Sequence, residues 1–368
     1  MKKKDAQTFL DLLKKNLKNE KFVDKSKRVL SEGEFVLFPL IQDSKKIKSL
    51  TEYIDNKFFF EIIKLESQIA LDSSQSIEDI LKKQIPSNII NLIPKSYDII
   101  GHIAVVEFNR FRDLSYRKAL QYKKKFAKAL LLTNNAIKSI YEKKSKIKGK
   151  FRLRDLKLLK GEDKTEAIYR ENNCIFNLDI KKTYFSPRLV YERKRLANCN
   201  IKAHEVIIDM FAGVGPISIQ LVKNHNVQIY AFDINPIAYK YLKQNICLNN
   251  MMGQIFPFNI NVTNLLNPKS DLGNELKHKA SRIIMNLPEK SLKFIRVACF
   301  LMKLTGGMIH CYQFVNKPRS IEKAIENLKI SLEKSQWNID KITECRIVKP
   351  ISPKMDLVVV DSIIRPFY

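Results

Sequence analysis

The feature that most constrains the fold is an apolar run closed by an acid and a glycine-rich turn, residues 205–216 (EVIIDMFAGVGP). The β-branched side chains predict a buried strand over 205–209 that ends at Asp209. Gly213 and Gly215 let the backbone turn sharply and approach a ligand with no Cβ in between, and a helix is predicted from 215. A strand, a glycine loop and a helix in this order predict a ligand site at one edge of an open α/β sheet.

A second acid stands at the end of the next predicted strand, 228–233, which closes on Asp233. At that position a carboxylate can hold a ribose diol, while Asp209 can accept hydrogen bonds from an amino group. A sulfonium nucleoside with an amino-acid tail carries both groups and a positive charge. The two acids therefore predict a site for S-adenosylmethionine.

The alternative to this interpretation is a dinucleotide site, which normally has the pattern G-x-G-x-x-G and a helix N-terminus open to a pyrophosphate. Here Ser218 occupies the place of the third glycine, and Pro216 follows the second glycine. Asp209 would also repel a pyrophosphate. These departures favour a methyltransferase over a dehydrogenase.

Strands and helices alternate through the C-terminal half, which predicts βαβ units and a mainly parallel sheet. We therefore expect a class I, Rossmann-like α/β methyltransferase domain over 181–368, preceded by two smaller α/β RNA-binding domains over 1–70 and 71–180. The predicted elements after the second strand are a helix from 236, a strand at 282–286, a helix from 291, a strand at 307–314, a helix at 318–335 and a strand at 355–364.

The N-terminal half has weaker patterns. Strand-like runs occur at 34–38, 58–63 and 96–106, a polar linker or helix start at 72–76, and a helix is predicted over 116–132. Residues 151–160 alternate basic and apolar side chains, which predicts a strand that carries Arg152 and Arg154 on the same side. In the C-terminal half, the long polar segment 266–281 is predicted to be a surface loop.

The chain is strongly basic, with 66 Lys and Arg against 38 Asp and Glu in 368 residues, a formal net charge of +28. Such a surplus attracts polyanions, and nucleic acid is the commonest of these.

No apolar run is long enough for a membrane span, so no membrane partner is expected. The six cysteines are scattered, without ligand spacing, which predicts free thiols in a reducing compartment, a cytoplasmic location and no metal site.

A third polar element, Asn286-Leu287-Pro288, follows the predicted strand at 282–286. Ligands bind at such strand ends in open α/β sheets. An Asn amide held there by a following proline can both donate to and accept from a planar nitrogen base. Together with the two acids and the glycine loop, this element favours methylation of nitrogen.

These motifs together resemble the archaeal and eukaryotic tRNA guanine-37 N1-methyltransferases. The resemblance rests on 209–216 (DMFAGVGP), 184–188 (YFSPR) with Glu192-Arg193, and 286–288 (NLP), and on 96–104 (SYDIIGHIA) and 161–166 (GEDKTE) on the N-terminal side. It implies an enzyme that forms 1-methylguanosine next to the anticodon and acts as a monomer on tRNA rather than DNA. The N-terminal domain would touch the outer corner of the tRNA and the middle domain the anticodon stem-loop.

The resemblance also implies roles for individual residues. Glu192 would be the general base, Arg152 the partner of guanine O6, and Asn286 and Pro288 the walls of the base pocket, while Arg154 or Arg188 could hold phosphates. Because Arg152 and Arg154 share one side of the predicted strand, position alone does not separate them as partners of O6. Without the resemblance, Glu192 would be interpreted as a surface acid paired with its basic neighbours. The implied cofactor contacts are Tyr184, Arg193, Asp209, Phe211, Ala212, Gly213, Gly215, Asp233, Ile234, Asn235, Asn261 and Asn286.

Two other functions remain open at this point. A wyosine-pathway aminocarboxypropyl transferase has the same fold and cofactor but transfers the amino-acid tail. A non-catalytic RNA-binding protein on a methyltransferase scaffold is the other. Asp209, Gly213, Gly215 and Asp233 argue against loss of the cofactor, and Glu192 with 286–288 favours methyl transfer.

Overall fold

The structure is a computed structural model that describes residues 1–16, 22–24, 29–55, 57–63 and 76–367. The contacts divide the chain into two compact units, one of Met1–Ile93 with Ser115–Asn135 and one of Pro94–Leu114 with Ala136–Tyr368. The predicted linker residues 72–75 and the predicted domain boundary at 70/71 lie outside the described residues. The division into three domains therefore stays a prediction.

The first unit is mainly helical. Phe9, Leu50 and Ile54 form its buried centre, and the predicted strand at 34–38 is confirmed as one arm of a short hairpin. The predicted strand at 58–63 is wrong, because no described segment pairs with it and its residues form neither helix nor strand. The elements are α1 (Ala6–Asn16), β1 (Leu30–Glu32), β2 (Phe35–Leu37), α2 (Ser44–Ile54), α3 (Ile77–Lys82), α4 (Ser87–Ile90) and α5 (Tyr116–Thr133).

The second unit contains the predicted α/β domain and the strands that precede it. Its elements are β3 (Asp98–Ile100), β4 (Ile103–Val106), β5 (Ser139–Lys143), β6 (Leu156–Gly161), β7 (Glu166–Glu171), β8 (Cys174–Asp179), α6 (Val190–Ala197), β9 (Val206–Asp209), α7 (Pro216–Asn224), β10 (Gln228–Phe232), α8 (Pro236–Cys247), β11 (Gln254–Phe258), α9 (Asp271–Leu276), β12 (Arg282–Met285), α10 (Ile295–Leu301), β13 (Gly307–Asn316), α11 (Ser320–Glu333), β14 (Trp337–Ser352) and β15 (Met355–Pro366).

A seven-stranded sheet organises this unit, in the order β11-β10-β9-β12-β13-β15-β14. The first five strands are parallel, and β15 and β14 are antiparallel to their neighbours. Apolar side chains cover both faces, with Ile207 and Ile229 in one buried group and Ile208 and Ile283 in the other. The predicted mainly parallel α/β fold is confirmed, and the strand order reverses between β9 and β12, where such sheets bind ligands.

A second sheet has the order β3-β4-β5-β6, and β7 and β8 form a separate hairpin. The predicted strand over 151–160 begins only at Leu156, because Arg152 has a positive φ of 58° in a turn that a strand cannot contain. The prediction of a surface loop at 266–281 is also wrong. The segment contains helix α9, which begins after its capping residue Ser270 and buries Gly273 and Leu276.

Within the part of the chain that the structure describes, no helix is both long and apolar enough to cross a lipid bilayer.

Candidate active site

The predicted glycine loop leaves the end of β9 at the point where the strand order reverses. Gly213 and Gly215 have φ angles of 57° and 88°, a backbone conformation that costs other residues about 1–2 kcal/mol. A Cβ on Gly215 would lie 2.5 Å from Cδ1 of Leu242, whereas one on Gly213 would meet nothing nearer than the Tyr184 carbonyl oxygen at 3.9 Å. Gly215 is therefore favoured by its left-handed backbone, and a Cβ there would also have to displace the ends of the Leu242 and Ile219 side chains. Gly213 leaves a stretch of backbone open to a ligand.

Asp209 is fully enclosed at the end of β9. Its carboxylate accepts hydrogen bonds from Ser218 Oγ at 2.7 Å and from the Phe211 amide at 3.3 Å. Burial raises the pKa of Asp209 to about 6, although these two hydrogen bonds oppose the rise. Ser218, the residue that replaces the third glycine of a dinucleotide site, therefore braces the acid that shapes the loop.

Asp233 joins this loop to the end of β10. It accepts from the Gly213 amide at 2.7 Å and from the Asn235 amide at 2.8 Å, and burial raises its pKa. Asn235 caps α8 through the Ile237 amide and donates to the Lys182 carbonyl. Ile234, between the two, is 38% exposed and offers an apolar side chain to a ligand at this edge.

The remaining predicted cofactor residues near the loop have packing or capping roles. Phe211 packs edge-on against Phe294, with ring centroids 5.0 Å apart, and the Ala212 amide donates to the Phe232 carbonyl at 2.8 Å. Asn261 accepts from the Thr263 amide and so caps a turn after β11. The proposed contact between Asn261 and an adenine stays a prediction.

A cavity of about 650 Å³ opens beside the same strand ends. Six residues predicted from the sequence line it, namely Arg152, Arg154, Tyr184, Arg188, Asn286 and Pro288. Its walls come from the four-stranded sheet, the 183–189 segment and the C-terminal strands. Because Tyr184 lines the cavity and also lies next to Gly213, the cavity and the glycine loop are adjacent parts of one site.

Arg152 is the most deeply buried of the cations that line this cavity. Its guanidinium lies over the Tyr184 ring at 4.4 Å and 3.7 Å from the Glu289 carboxylate. The residue is only 8% exposed, and its Nε has no hydrogen-bond partner among the described residues. A buried donor without an acceptor destabilises the protein, so this atom is suited to an oxygen that a ligand brings. Arg154 also lines the cavity but is half-buried.

Glu192 lies on α6 and is buried, with 4% of its surface exposed, so the interpretation as a surface acid is wrong. Tyr312 Oη donates to it at 2.5 Å, Arg195 contacts it at 2.8 Å, and Arg346 also contacts it. It is not among the residues that line the cavity. Its role as a general base therefore stays a prediction.

Arg193, a predicted cofactor contact, forms a buried two-pronged ion pair with Glu171. Its Nη1 donates to the Ser186 carbonyl oxygen at 3.1 Å, and its guanidinium lies 5.0 Å from the Phe185 ring centre. Arg193 therefore fixes the segment that presents Tyr184 to the cavity.

The structure adds residues that sequence analysis missed. Tyr312 and Arg346 surround Glu192 from β13 and β14, and Lys349 and Glu289 line the cavity. Burial and the neighbouring cation Arg188 lower the pKa of Lys349. Glu289 directly follows the 286–288 motif, but Tyr312, Arg346 and Lys349 come from β13 and β14, far from the motifs in the chain, so no sequence pattern marks them.

Asp98 connects two of the cavity's cations. Lys143 and Arg188 each contact its carboxylate at 2.6 Å. Burial opposes ionisation of Asp98, but the two cations hold its pKa below the usual value. Arg188 therefore pairs with protein as well as facing the cavity, and its predicted contact with phosphate stays a prediction.

Comparisons with known proteins agree with this geometry. The TRM5/TYW2 methyltransferase domain matches residues 167–340, and the TYW2 N-terminal domain matches residues 77–165. The chain is 33% identical to the tRNA (guanine(37)-N(1))-methyltransferase Trm5b of Methanocaldococcus jannaschii, over 98% of this chain and 96% of that protein. It is 36% identical to that organism's tRNA(Phe) (4-demethylwyosine(37)-C(7)) aminocarboxypropyltransferase, over 59% of this chain and 82% of that protein.

Among solved structures, the complex of aTrm5 and tRNALeu matches 99% of this chain and 98% of that chain, with a TM-score of 0.65 and 31% identity. The similarity thus extends over both units of the chain and includes the glycine loop and the cavity. The chain belongs to the TRM5/TYW2 methyltransferase family.

Proposed function

We propose that this protein transfers a methyl group from S-adenosylmethionine to N1 of guanosine 37 in tRNA, which gives 1-methylguanosine next to the anticodon and supports the reading frame. The observation that carries the proposal is the position of Arg152, whose buried Nε has no partner among the described residues, in a cavity lined by Asn286 and Pro288. Similarity to a guanine-37 N1-methyltransferase over 98% of the chain supports the same substrate.

The glycine loop fits the cofactor. S-adenosylmethionine supplies an electrophilic methyl group on a positively charged sulfur when it is bound. Gly213 leaves its backbone open, and Asp209 and Asp233 lie at both ends of the loop, where their carboxylates favour a cation over a pyrophosphate. Tyr184 and Ile234 offer apolar surface on either side.

The chemistry at guanine requires two protein groups. N1 carries a proton and is not nucleophilic until that proton leaves, so a general base is needed. The negative charge that results spreads to O6, where a cation stabilises it. We assign the first role to Glu192 and the second to Arg152, and we assign to Asn286 and Pro288 the hydrogen bonds and wall that orient the base.

The role of Glu192 sets a requirement on its surroundings. Arg195, Arg346 and Tyr312 now surround its carboxylate. When guanine enters, one of these contacts must give way so that the carboxylate can reach the N1 proton. The ionised form that they stabilise is the form that accepts a proton.

The net charge of +28 suits a tRNA partner rather than a small substrate. The cavity wall itself carries six cationic side chains against three carboxylates, Lys143, Lys146, Arg152, Arg154, Arg188 and Lys349 against Asp98, Glu107 and Glu289. We further propose that residues 1–70 contact the outer corner of the tRNA and residues 71–180 the anticodon stem-loop. The protein would act as a cytoplasmic monomer on tRNA, not DNA.

The second candidate is transfer of the aminocarboxypropyl group, which the 36% identity to such a transferase favours. Two labels on the cofactor separate the activities, tritium on the methyl group and carbon-14 in the carboxyl group. With a tRNA transcript carrying guanosine 37, tritium alone should enter the RNA, and a transcript with adenosine 37 is the control. The aminocarboxypropyl relative is named for C7 of 4-demethylwyosine, so the doubly labelled cofactor is also offered to tRNA that carries this nucleoside at position 37. Entry of carbon-14 alone into that tRNA would establish the second candidate. If neither label enters and calorimetry detects no cofactor binding, the chain is a non-catalytic scaffold.

A further inference from the structure

A chain of charged groups runs from Glu192 across β15, β13 and β12 on one face of the sheet. Arg195, on the same helix, contacts Glu192 at 2.8 Å and Asp361 at 2.6 Å. Asp361 in turn lies 2.7 Å from Nδ1 of His310, and Nε2 of His310 lies 2.9 Å from Arg282. The groups come from α6, β15, β13 and β12, so four separate elements converge on one polar line.

The hydrogen-bond directions at His310 follow from its partners. A guanidinium has only donors, so Arg282 donates to Nε2. Nδ1 then donates to the Asp361 carboxylate at 2.7 Å and holds it in place. Arg282 is itself fixed by Glu205 and the Asn200 carbonyl, each at 3.0 Å.

Asp361 is the carboxylate that orients Arg195. Its side chain is 3% exposed, and although burial opposes ionisation, His310 and Arg195 hold its pKa below the usual value. Glu344 contacts the same nitrogen of Arg195 at 2.9 Å but is 42% exposed. A buried ion pair fixes geometry more firmly than an exposed one, so Asp361 sets where the guanidinium lies.

We propose that Asp361 is a positioning residue for the methyl transfer reaction, because it aims Arg195 and so fixes both the place and the basicity of Glu192. This inference rests on the proposed function, in which Glu192 accepts the N1 proton. Asp361 itself touches neither the cavity nor the glycine loop. It would act only through Arg195.

The charges around Glu192 give the direction of the effect. Arg195 from α6, Arg346 from β14 and Tyr312 from β13 contact Glu192 directly. Glu344, Asp361 and His310 lie behind Arg195. The charge of Asp209, at the end of β9, acts on the Tyr312 hydroxyl. Asp361→Asn removes one negative charge. Because Asp361 then no longer offsets the positive charge of Arg195, Arg195 stabilises the ionised form of Glu192 more strongly. Glu192 becomes a weaker base that stays ionised to lower pH.

The experiment measures the single-turnover rate against pH with a guanosine-37 transcript and saturating cofactor. For Asp361→Asn we expect a rate about tenfold lower and unchanged affinity for tRNA and cofactor. We also expect the acidic limb of the pH–rate profile to move down by roughly one pH unit. The matched control is Asp356→Asn, a carboxylate on the same strand whose side chain is also 3% exposed and which pairs with Ser320 and Lys317 instead. It should lose stability but keep the wild-type limb.

Glu344→Gln is the second variant if Asp361→Asn does not fold, because this residue contacts the same nitrogen of Arg195 and also pairs with Arg346 at 2.9 Å, so it acts on both cations that contact Glu192. We expect a smaller shift of the limb in the same direction, with a rate about threefold lower. An unmoved limb in Glu344→Gln and in any folded Asp361→Asn would overturn the inference while the wild type still forms 1-methylguanosine. A wild type that forms none would instead refute the proposed function.

Discussion

Tyr184 carries the Arg152 guanidinium over its ring at 4.4 Å, while its carbonyl oxygen lies 3.9 Å from where a Cβ on Gly213 would stand. One residue thus joins the cation of the cavity to the open backbone of the glycine loop. Buried Arg193 fixes the segment that follows Tyr184 through the Ser186 carbonyl. In the proposed function, this short, braced piece of chain sets the distance between the methyl donor and the target base.

Substitution of Arg152 tests the assignment to O6. Arg152→Lys keeps the charge but loses the planar fork and the stacking on Tyr184, so we expect the single-turnover rate to fall about a hundredfold with cofactor affinity unchanged. Arg154→Lys is the matched control on the same cavity. A larger loss in the control than in Arg152→Lys would make Arg154 the partner of O6.

Glu192→Gln tests the general base. The amide can still accept from Tyr312, but it cannot take a proton, so the rate should fall about a hundredfold or more. Binding of tRNA and cofactor, measured by calorimetry, should change little because the role belongs to the transition state. A rate near that of the wild type would remove Glu192 from the mechanism.

Gly215→Ala tests the loop that is predicted to hold the cofactor. The new Cβ would lie 2.5 Å from Leu242 Cδ1 at a φ of 88°. We expect a loss of about 2–4 kcal/mol in the free energy of unfolding and cofactor binding at least about tenfold weaker. Gly149→Ala has a φ of 72° with nothing within 4 Å of its Cβ, so it shows the backbone strain alone. Equal effects in the two variants would contradict the account of the loop.

Asp209→Asn tests the buried acid through pH. The pKa of Asp209 is raised from 3.8 to about 6 by burial, so its ionisation costs stability as the pH rises from about 4 to 7. The asparagine variant does not pay this penalty. Its unfolding free energy relative to the wild type should therefore improve by about 2.5 kcal/mol over that range. Urea titrations at pH 4 and 7 measure the difference, and a constant difference would contradict the assignment.

The central part of the fold was predictable because local signals agree there. The apolar runs and glycines place β9, β10 and the starts of the helices that follow within one residue of the structure. The edge strand β14 was not predicted, since four register shifts break its alternation and half of its residues are exposed. The strand predicted over 58–63 fails for another reason. Its apolar pattern suits a strand, but no described segment pairs with it.

The site was predictable only in part, for a related reason. Residues at strand ends, such as Asp233 and Asn286, follow from the chain order of an open sheet. The contacts of Glu192 do not, because Tyr312 and Arg346 reach it from strands more than a hundred residues later in the chain. The turn that places Arg152 depends on a positive φ, which alternation of basic and apolar residues cannot indicate.

The most direct test of the central claim is nucleoside mass spectrometry of an unmodified tRNA transcript after incubation with the protein and S-adenosylmethionine. We predict 1-methylguanosine at position 37 and at no other guanosine, and none in a transcript with adenosine 37. An aminocarboxypropyl adduct, methylation at another atom or position, or an unchanged transcript from protein that binds cofactor and tRNA would contradict the account.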